Sequence, residues 1–373
     1  MDYNMNPVKD KIDLNGKTIL VTGSAGFIGA NLVLRLMQDP RLMKTGHIIS
    51  LDNINGYYDP KLKEYRLKLI EEASKASNVI HTFIKGSVAD KTTVDKAFRQ
   101  YRPNIVVNLA AQAGVRYSIK NPDAYISANI IGFYNILEAC RHSHDGNSEG
   151  VLHLVYASSS SVYGENAKVP FSTDDPIDHP ISLYAATKKS DELLAHCYSK
   201  LYDIPSTGLR FFTVYGPAGR PDMAYYSFAE KLCSGESINV FNYGNCKRDF
   251  TYVDDIIEGV IRVMQGAPAK ASGNDGLPVP PYSIYNIGGG KPESLMDFVY
   301  ILAEELIFAG VLREGFNIES RLNLVPMQPG DVPVTYADSS GLELDYGFKP
   351  SIDLRTGLRR FAQWYKEYYG SNI

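Results

Sequence analysis

The chain has 373 residues, of which 44% are hydrophobic and 21% charged, the composition of an ordinary globular protein with a sizeable core. Its formal net charge of −4 gives no electrostatic reason to expect a nucleic acid or an anionic membrane as a partner. No stretch reaches the roughly 18 consecutive apolar residues of a membrane span, and the four cysteines form no CxxC pair. We therefore expect a cytoplasmic protein with reduced thiols, built as one large domain and one smaller one.

The first predicted element is a strand that breaks into three glycines and continues as a helix. Residues 17–22 are apolar and β-rich, Gly23, Gly26 and Gly29 follow, and a helical pattern continues to Leu36. A strand, a tight turn and a helix form the first half of a mononucleotide-binding unit, in which backbone N–H groups approach a diphosphate. The GxxGxxG spacing is one residue longer than the common GxGxxG and is weak evidence on its own.

The second predicted strand, residues 47–52, ends in Asp52. An acid at this strand tip accepts hydrogen bonds from the ribose hydroxyls of a dinucleotide and repels a 2′-phosphate. Together with the glycine turn, Asp52 predicts a site for NAD rather than NADP.

Strands and helices then alternate along the chain. Further strands are predicted at residues 79–84, 105–111, 151–157, 207–212 and 283–288, and helices at 61–76, 92–101, 123–144, 183–201 and 254–265. Such alternation predicts an α/β fold, a Rossmann-type doubly wound parallel sheet with helices on both faces.

The alternation stops over residues 217–250, which are rich in glycine, proline and aromatic residues. This change of rhythm predicts a second, smaller mixed domain that caps the sheet and is assembled from more than one segment. The expected NAD-binding domain comprises residues 1–213 plus about 251–289. The expected nucleotide-sugar-binding domain comprises about 214–250 plus 290–373.

Polar side chains collect where the predicted strands end, which is the edge at which such sheets bind ligands. Serines occupy residues 158–161, and Tyr184 and Lys188 lie near the start of the next helix. The i, i+4 spacing places Tyr184 and Lys188 on one helix face. A phenol has an ordinary pKa of about 10, and a nearby ammonium and a nicotinamide cation would stabilise its phenolate. The pair therefore indicates a tyrosine that removes a hydroxyl proton while hydride passes to the nicotinamide, with a surface pair as the alternative.

These motifs, with others along the chain, resemble those of the extended short-chain dehydrogenases/reductases, also called the NAD-dependent epimerases/dehydratases. The resemblance is strongest to the UDP-glucuronate 4-epimerases. The matching motifs are residues 22–29, 52–53, 57–59, 109–116, 158–164, 184–188, 209–216, 220–222, 248–255 and 328–331.

The resemblance implies a role for each candidate residue. Tyr184 would be the catalytic base, Lys188 its modulator and ribose anchor, and Ser159 the hydroxyl partner, although Ser158 and Ser160 keep that last choice open. The implied cofactor contacts are Gly23, Ala25, Gly26, Phe27, Ile28, Gly29, Asp52, Asn53, Ser87, Val88, Leu109, Ala110, Ala111, Gln112, Tyr184 and Lys188. The implied substrate contacts are Arg116, Ser158, Ser160, Thr213, Arg220, Arg248 and Asp331.

Two of those contacts have more specific implied partners. In the family, Arg248 meets the nucleotide diphosphate and Asp331 stands where an acid binds the uridine ribose. One position departs from the pattern, because Gly86 is followed by Ser87 where relatives often have an aspartate that meets the adenine. The adenine contact is therefore left open. No metal is expected.

Two adjacent serines, Ser160 and Ser161, favour one reaction among the relatives that share this framework. At the position of these serines, nucleotide-sugar 4,6-dehydratases share an Asp-Glu pair, and uronate decarboxylases share a Glu. A dehydratase needs a carboxyl group for elimination across C5 and C6, and this stretch supplies none. The resemblance therefore implies C4 epimerisation of a UDP-sugar through a transient 4-keto intermediate, with NAD held throughout.

Thr213 and Arg220 bear on the substrate. Hexose 4-epimerases usually show Asn where Thr213 stands, and residues 216–222 match the uronate enzymes. A guanidinium suits contact with a carboxylate, although Arg220 could instead pair with Asp222. We therefore expect conversion of UDP-glucuronate to UDP-galacturonate. The alternatives are epimerisation of UDP-glucose, UDP-N-acetylglucosamine or its uronate, decarboxylation of UDP-glucuronate, and a non-catalytic NAD-binding regulator.

The predicted helices 123–144 and 183–201 carry more apolar positions than one sheet face requires. Simple burial would explain them. In relatives, such helices form a four-helix interface between two subunits, so the resemblance implies a homodimer.

Overall fold

The computed structural model describes residues 9–147, 149–273, 276–327 and 332–370. The strands are β1 (Lys9–Lys11), β2 (Thr18–Thr22), β3 (Gly46–Asp52), β4 (Val79–Lys85), β5 (Ile105–Asn108), β6 (His153–Ser159), β7 (Ser206–Phe211), β8 (Thr213–Tyr215), β9 (Ile238–Phe241), β10 (Lys247–Tyr252), β11 (Gly266–Pro268), β12 (Ala271–Ser272), β13 (Pro278–Val279), β14 (Tyr282–Ile287), β15 (Pro292–Ser294) and β16 (Leu322–Val325). The α-helices are α1 (Phe27–Gln38), α2 (Pro60–Ala76), α3 (Lys91–Tyr101), α4 (Tyr117–Lys120), α5 (Pro122–Tyr125), α6 (Gly132–His142), α7 (Leu183–Tyr202), α8 (Ala224–Cys233), α9 (Val253–Met264), α10 (Leu295–Phe308), α11 (Ser340–Tyr346) and α12 (Leu354–Tyr369).

Seven parallel strands form the main sheet, in the order β14-β7-β6-β5-β2-β3-β4. Its central strands are buried on both faces because helices cover both sides: Ile19 and Val107 pack into the core on one face, and Leu20 and Val106 into the core on the other. Helices α1, α2 and α9 pack together on one face, and α3, α6 and α7 on the other. The predicted doubly wound parallel sheet is confirmed.

The strand order places the ligand crevice. The chain leaves β2 toward β3 on one side, whereas β5 lies on the other side of β2. Ligands in such sheets bind where the direction of winding reverses, outside the carboxyl ends of the strands. The crevice is therefore expected between the ends of β2 and β5.

Smaller sheets lie beyond that edge and form the expected mixed part of the fold. Strand β10 pairs parallel with β8 and antiparallel with β15, and β9 pairs parallel with β16. Helix α12 packs its aromatic side chains on α8, with the Phe361 ring 4.9 Å from Tyr225 and the Trp364 ring 5.9 Å from Tyr226. The division into two domains at the boundaries given above stays a prediction.

Three element boundaries differ from the predictions near the crevice. Strand β5 ends at Asn108, three residues early, because the N–H of Ala110 leaves the ladder and donates to Thr22 Oγ1 at 3.1 Å. Strand β6 runs two residues further than predicted, to Ser159, so the first two serines lie within the strand. The helix predicted over 123–144 is three pieces, α5, a π-helical turn at Ile126–Ile131, and α6.

No helix in the described part of the chain has both the length and the apolar character needed to cross a membrane.

A buried histidine in β6 predicts acid sensitivity. His153 is fully buried, its Nε2 lies 2.9 Å from Thr207 Oγ1, and burial lowers the pKa of His153 to about 4. Because the unfolded histidine titrates near its ordinary pKa, the unfolded chain binds the proton more readily as pH falls below about 6.5. Keeping His153 neutral and buried therefore costs no stability above about pH 6.5. At pH 5 it lowers the free energy of unfolding by about 2 kcal/mol. Urea unfolding of His153→Gln should lack that part of the pH dependence, whereas exposed His179→Gln should retain it.

Candidate active site

A cleft of about 940 Å³ lies at the carboxyl ends of the central strands. It is lined by almost every candidate residue, namely Gly23, Gly26, Phe27, Ile28, Gly29, Asp52, Asn53, Ser87, Val88, Leu109, Ala110, Ala111, Gln112, Arg116, Ser158, Ser159, Ser160, Tyr184, Lys188, Thr213, Arg220 and Arg248. Ala25 is fully buried behind the glycine turn, and Asp331 lies outside the described residues. The sequence prediction and the geometry thus converge on one cleft.

The glycine turn fits the diphosphate of a dinucleotide. Gly23 has a φ of +68°, and a Cβ there would lie 2.7 Å from the backbone nitrogen of Ala110. A Cβ on Gly29 would overlap the carbonyl oxygen of Gly23, so only glycine lets α1 approach β2 this closely. Helix α1 begins at Phe27 without a side-chain cap on its first N–H groups. Because these N–H groups need an acceptor, the start of α1 suits an anionic group in the cleft.

Asp52 is held in place by backbone hydrogen bonds. The N–H of Ala25 donates to its Oδ2 at 3.0 Å, and the N–H of Ile54 donates to its Oδ1 at 2.8 Å. A carboxylate has about four acceptor sites, so both oxygens retain capacity for hydroxyl donors. Since Asp52 also lines the cleft, its position fits the ribose contact expected from the sequence.

Lys188 and Tyr184 lie on one face of α7. The helix begins at Leu183, where the Ser182 side chain accepts the N–H of Ala185 at 3.1 Å. Lys188 is 3% exposed, and its Nζ donates to the carbonyl of Ala157 at 2.8 Å and to Asp191 Oδ2 at 3.1 Å. An ammonium has three N–H donors, so one remains for a group bound in the cleft. Burial raises the pKa of Asp191 to about 6, although the charge of Lys188 acts in the opposite direction.

The serines at the end of β6 have different environments. Ser158 donates from Oγ to Glu192 Oε1 at 2.6 Å and is almost fully buried. The Ser159 hydroxyl donates to Ser161 Oγ at 3.2 Å and also accepts the N–H of Ser161. Because Glu192 already uses the Ser158 hydroxyl, the geometry favours Ser159 as the group that meets a substrate hydroxyl. The catalytic assignment of Ser159 stays a prediction.

Arg220 lines the cleft and is paired with Asp222. Its Nε lies 3.0 Å from Oδ1 and its Nη2 2.5 Å from Oδ2. The Tyr57 hydroxyl also donates to Asp222 Oδ2 at 3.0 Å, and burial raises the pKa of Tyr57 to about 12. The sequence left open whether Arg220 meets a ligand or this aspartate, and the structure shows the pairing with Asp222.

Two other arginines border the cleft on the side of the smaller sheets. The guanidinium of Arg116 lies 5.1 Å from the centre of the Phe241 ring in β9. Arg248, in β10, donates from Nη1 to the carbonyls of Lys247 at 3.0 Å and Pro333 at 3.1 Å. These side chains supply positive charge at this end of the cleft. Their guanidinium groups are suited to bind an anionic group there, such as a nucleotide diphosphate.

Asn129 and Tyr125 are site-supporting residues that the sequence reasoning missed. Asn129, in the π-helical turn, accepts the N–H of Gln112 at 2.8 Å and donates to its carbonyl at 3.1 Å. The Tyr125 hydroxyl donates to the carbonyls of Ala113 and Gly114, and its ring lies 6.0 Å from that of Tyr184. A lone asparagine within an apolar helical stretch was the only available signal.

Among the residues described, no cluster of three or more histidine, cysteine, aspartate or glutamate side chains is arranged to hold a metal ion.

Comparison with known proteins identifies relatives over nearly the whole chain. The model of the NAD dependent epimerase/dehydratase family matches residues 19–288. Protein CapI of Staphylococcus aureus is 49% identical over 94% of this chain and 99% of its own length. UDP-glucuronate 4-epimerase 4 of Arabidopsis thaliana is 42% identical over 96% of this chain and 77% of its own. The structure of UDP-glucuronic acid 4-epimerase from Bacillus cereus, in complex with UDP-glucuronic acid and NAD, is 30% identical with a TM-score of 0.79, covering 94% of this chain and 100% of that one.

Proposed function

The chain belongs to the NAD dependent epimerase/dehydratase family, and we propose that it converts UDP-glucuronate to UDP-galacturonate by inverting C4. The observation that carries the proposal is that one cleft is lined both by the proton-transfer candidates Tyr184 and Lys188 and by the cation Arg220. Relatives named UDP-glucuronate 4-epimerase support the same substrate.

In this proposal, Tyr184 removes the proton of the C4 hydroxyl and later returns it. Lys188 places a positive charge one helical turn from the phenol and keeps an N–H donor for the ribose of the cofactor, while Ser159 holds the C4 oxygen. NAD, when bound, supplies the acceptor and donor of hydride. The glycine turn and Asp52 hold its diphosphate and adenosine ribose. Inversion requires that the sugar present first one face and then the other to the nicotinamide.

Arg220 is proposed to recognise the C6 carboxylate of the substrate. The substrate carboxylate would replace Asp222 as the partner of the guanidinium, a charge-assisted contact of the same geometry. This contact also bears on chemistry, because a 4-keto uronate is a β-keto acid that can lose CO2. Arg220, together with the hydroxyls of residues 158–161 and Thr213, would hold the carboxylate where cleavage of that bond is disfavoured.

The test is incubation of the purified protein with UDP-glucuronate, UDP-glucose and UDP-N-acetylglucosamine, with each product identified by NMR. We expect UDP-galacturonate as the product, without CO2 or a pentose. Turnover of UDP-glucose or UDP-N-acetylglucosamine alone would favour the hexose alternatives, and a UDP-pentose would favour decarboxylation. Absence of any turnover with NAD still bound would favour a regulator.

Arg220→Ala should raise the KM for UDP-glucuronate about 10- to 100-fold, the effect of losing a charged hydrogen-bonded pair. Arg41→Ala is the matched control, because Arg41 also pairs through Nε and Nη2 with an aspartate two residues away, at a surface outside the cleft. Unchanged KM and unchanged CO2 release in Arg220→Ala would rule out the proposed role.

We also propose that the protein is a homodimer. Large apolar side chains are exposed along the π-helical turn, α6 and α7, namely Ile126, Ile131, Tyr134, Leu193 and Leu201. Exposed apolar patches of this kind mark protein interfaces. Sedimentation should give twice the chain mass, and Leu193→Asp should give one chain mass. A monomeric wild-type protein would contradict the proposal.

A further inference from the structure

Arg66 is a buried cation in the middle of α2. Its side chain is 1% exposed, and its hydrogen-bond acceptors among the described residues are carbonyls and a hydroxyl rather than carboxylates. Burying a charge is unfavourable unless hydrogen bonds or an opposite charge compensate it. The partners of Arg66 therefore indicate what this cation stabilises.

The carbonyl partners come from two separate loops, and a hydroxyl partner, Tyr58, comes from a third. Nη1 donates to the carbonyl of Ala25 at 3.0 Å and to the Tyr58 hydroxyl at 2.7 Å. Nε donates to the carbonyl of Ala218 at 2.9 Å, and Nη2 to that of Gly219 at 2.8 Å. Ala25 lies in the glycine turn, and Ala218 and Gly219 immediately precede Arg220. One guanidinium thus joins the two loops through their backbone carbonyls, an arrangement that we call the Arg66 bridge.

Each loop is constrained where it meets Arg66. Ala25 is fixed on both sides, because its N–H donates to Asp52 while its carbonyl accepts from Arg66. Ala218 has a φ of +50°, a left-handed conformation that an alanine holds only when its surroundings impose it. The planar guanidinium fixes donor directions that a lysine ammonium does not.

We propose that Arg66 is a positioning residue that sets the spacing between the cofactor diphosphate turn and the loop carrying Arg220. The roles of the two loops rest on the proposed function. The positive charge of Arg66 also lies directly behind the glycine turn, where it favours an anionic group on the cleft side. One side chain that touches neither ligand thereby acts on both binding subsites.

The test compares Arg66→Met, which removes charge and donors, with Arg66→Lys, which keeps the charge but removes the planar set of donors. Arg262→Met is the control. Arg262 joins α9 to the carbonyls at the end of α11, those of Tyr346 at 3.1 Å and Gly347 at 2.8 Å, outside the cleft, and it is also paired with Glu258 at a partly exposed position. The measurements are the NAD retained per chain, the Kd for UDP-glucuronate by calorimetry, and the melting temperature.

We expect Arg66→Met to weaken both NAD retention and UDP-glucuronate binding at least 10-fold. We expect Arg66→Lys to retain NAD within about 3-fold of wild type while UDP-glucuronate still binds at least 5-fold more weakly, because charge favours NAD and geometry positions Arg220. Arg262→Met should leave both affinities unchanged.

The proposal would be overturned if Arg66→Lys and Arg66→Met both bound NAD and UDP-glucuronate with wild-type affinity. It would also be overturned if their losses of affinity equalled those of Arg262→Met at the same melting temperature. If Arg66→Met does not fold, Arg66→Lys alone tests the proposal, because it is expected to weaken UDP-glucuronate binding more than NAD retention. Both ligands are measured by binding, so failure of the proposed reaction leaves this test intact. A wild-type protein that binds both ligands without turnover would refute the reaction and not the Arg66 bridge.

Discussion

Tyr184→Phe is expected to lower kcat about 10³-fold, within the range that positioned proton transfer contributes. The substitution removes one hydroxyl and keeps the ring that lies 6.0 Å from Tyr125. Because that hydroxyl accepts the substrate proton in the proposed reaction, the loss should appear in kcat. The KM for UDP-glucuronate and the NAD content should change little, since Arg220 and the glycine turn are intact. Steady-state kinetics measure kcat and KM, and release of the cofactor after denaturation measures the NAD content.

Tyr202→Phe is the control for this substitution, because it removes the same atom from the other end of the same helix. It should leave kcat at the wild-type value. If Tyr184→Phe kept a tenth or more of wild-type kcat, another group would have to transfer the proton. Tyr184→Phe also separates an enzyme from a regulator, because a protein that only senses NAD loses nothing when this hydroxyl is removed.

The elements around the cleft that the sequence predicted are those made by short stretches of chain. The strand, glycine turn and helix around Gly23 and Asp52 have local signatures, because conformation and packing at each position restrict the residue type. The i, i+4 relation of Tyr184 and Lys188 likewise follows from helix geometry alone. The main sheet was predictable for the same reason, since buried parallel strands are continuous apolar runs.

The parts that escaped prediction join residues far apart in the sequence. Arg66 bonds Ala218 across 152 positions, and an arginine in an amphipathic helix gives no sign of being buried. Asn129 reaches Gln112 from a π-helical turn, which helical periodicity does not predict. The end of β6 was placed two residues early because serines have no strong preference for strands, and their pairing with β7 extends the strand. Tertiary contacts decide each of these features.

Arg210→Met is expected to lower the free energy of unfolding by about 3–5 kcal/mol, the cost of leaving a buried charge without its partner. Arg210 in β7 and Glu192 in α7 form two parallel hydrogen bonds, Nε to Oε1 at 2.9 Å and Nη2 to Oε2 at 2.9 Å, and both side chains are buried. Removing the arginine leaves the carboxylate in the core beneath the serines. Chemical denaturation measures the change.

The double variant Arg210→Met with Glu192→Met should recover most of that loss, because it buries no unpaired charge. Lys75→Met, which breaks the exposed pair of Lys75 and Glu71, should change the free energy of unfolding by less than about 1 kcal/mol. A double variant as unstable as the sum of its two single variants would contradict this account.

The double variant Arg210→Met with Glu192→Met also shows whether the buried ion pair serves the stability of the fold alone or the activity as well. Ser158 Oγ donates to Glu192 Oε1 at 2.6 Å, so the double variant removes the acceptor that fixes the serine at the end of β6. A hydroxyl without that acceptor can turn toward the cleft, next to Ser159, and compete for the substrate oxygen. We therefore expect the double variant to regain stability but not full kcat. Restoration of both would mean that the ion pair of Arg210 and Glu192 serves the fold alone and that the orientation of Ser158 does not matter to the reaction.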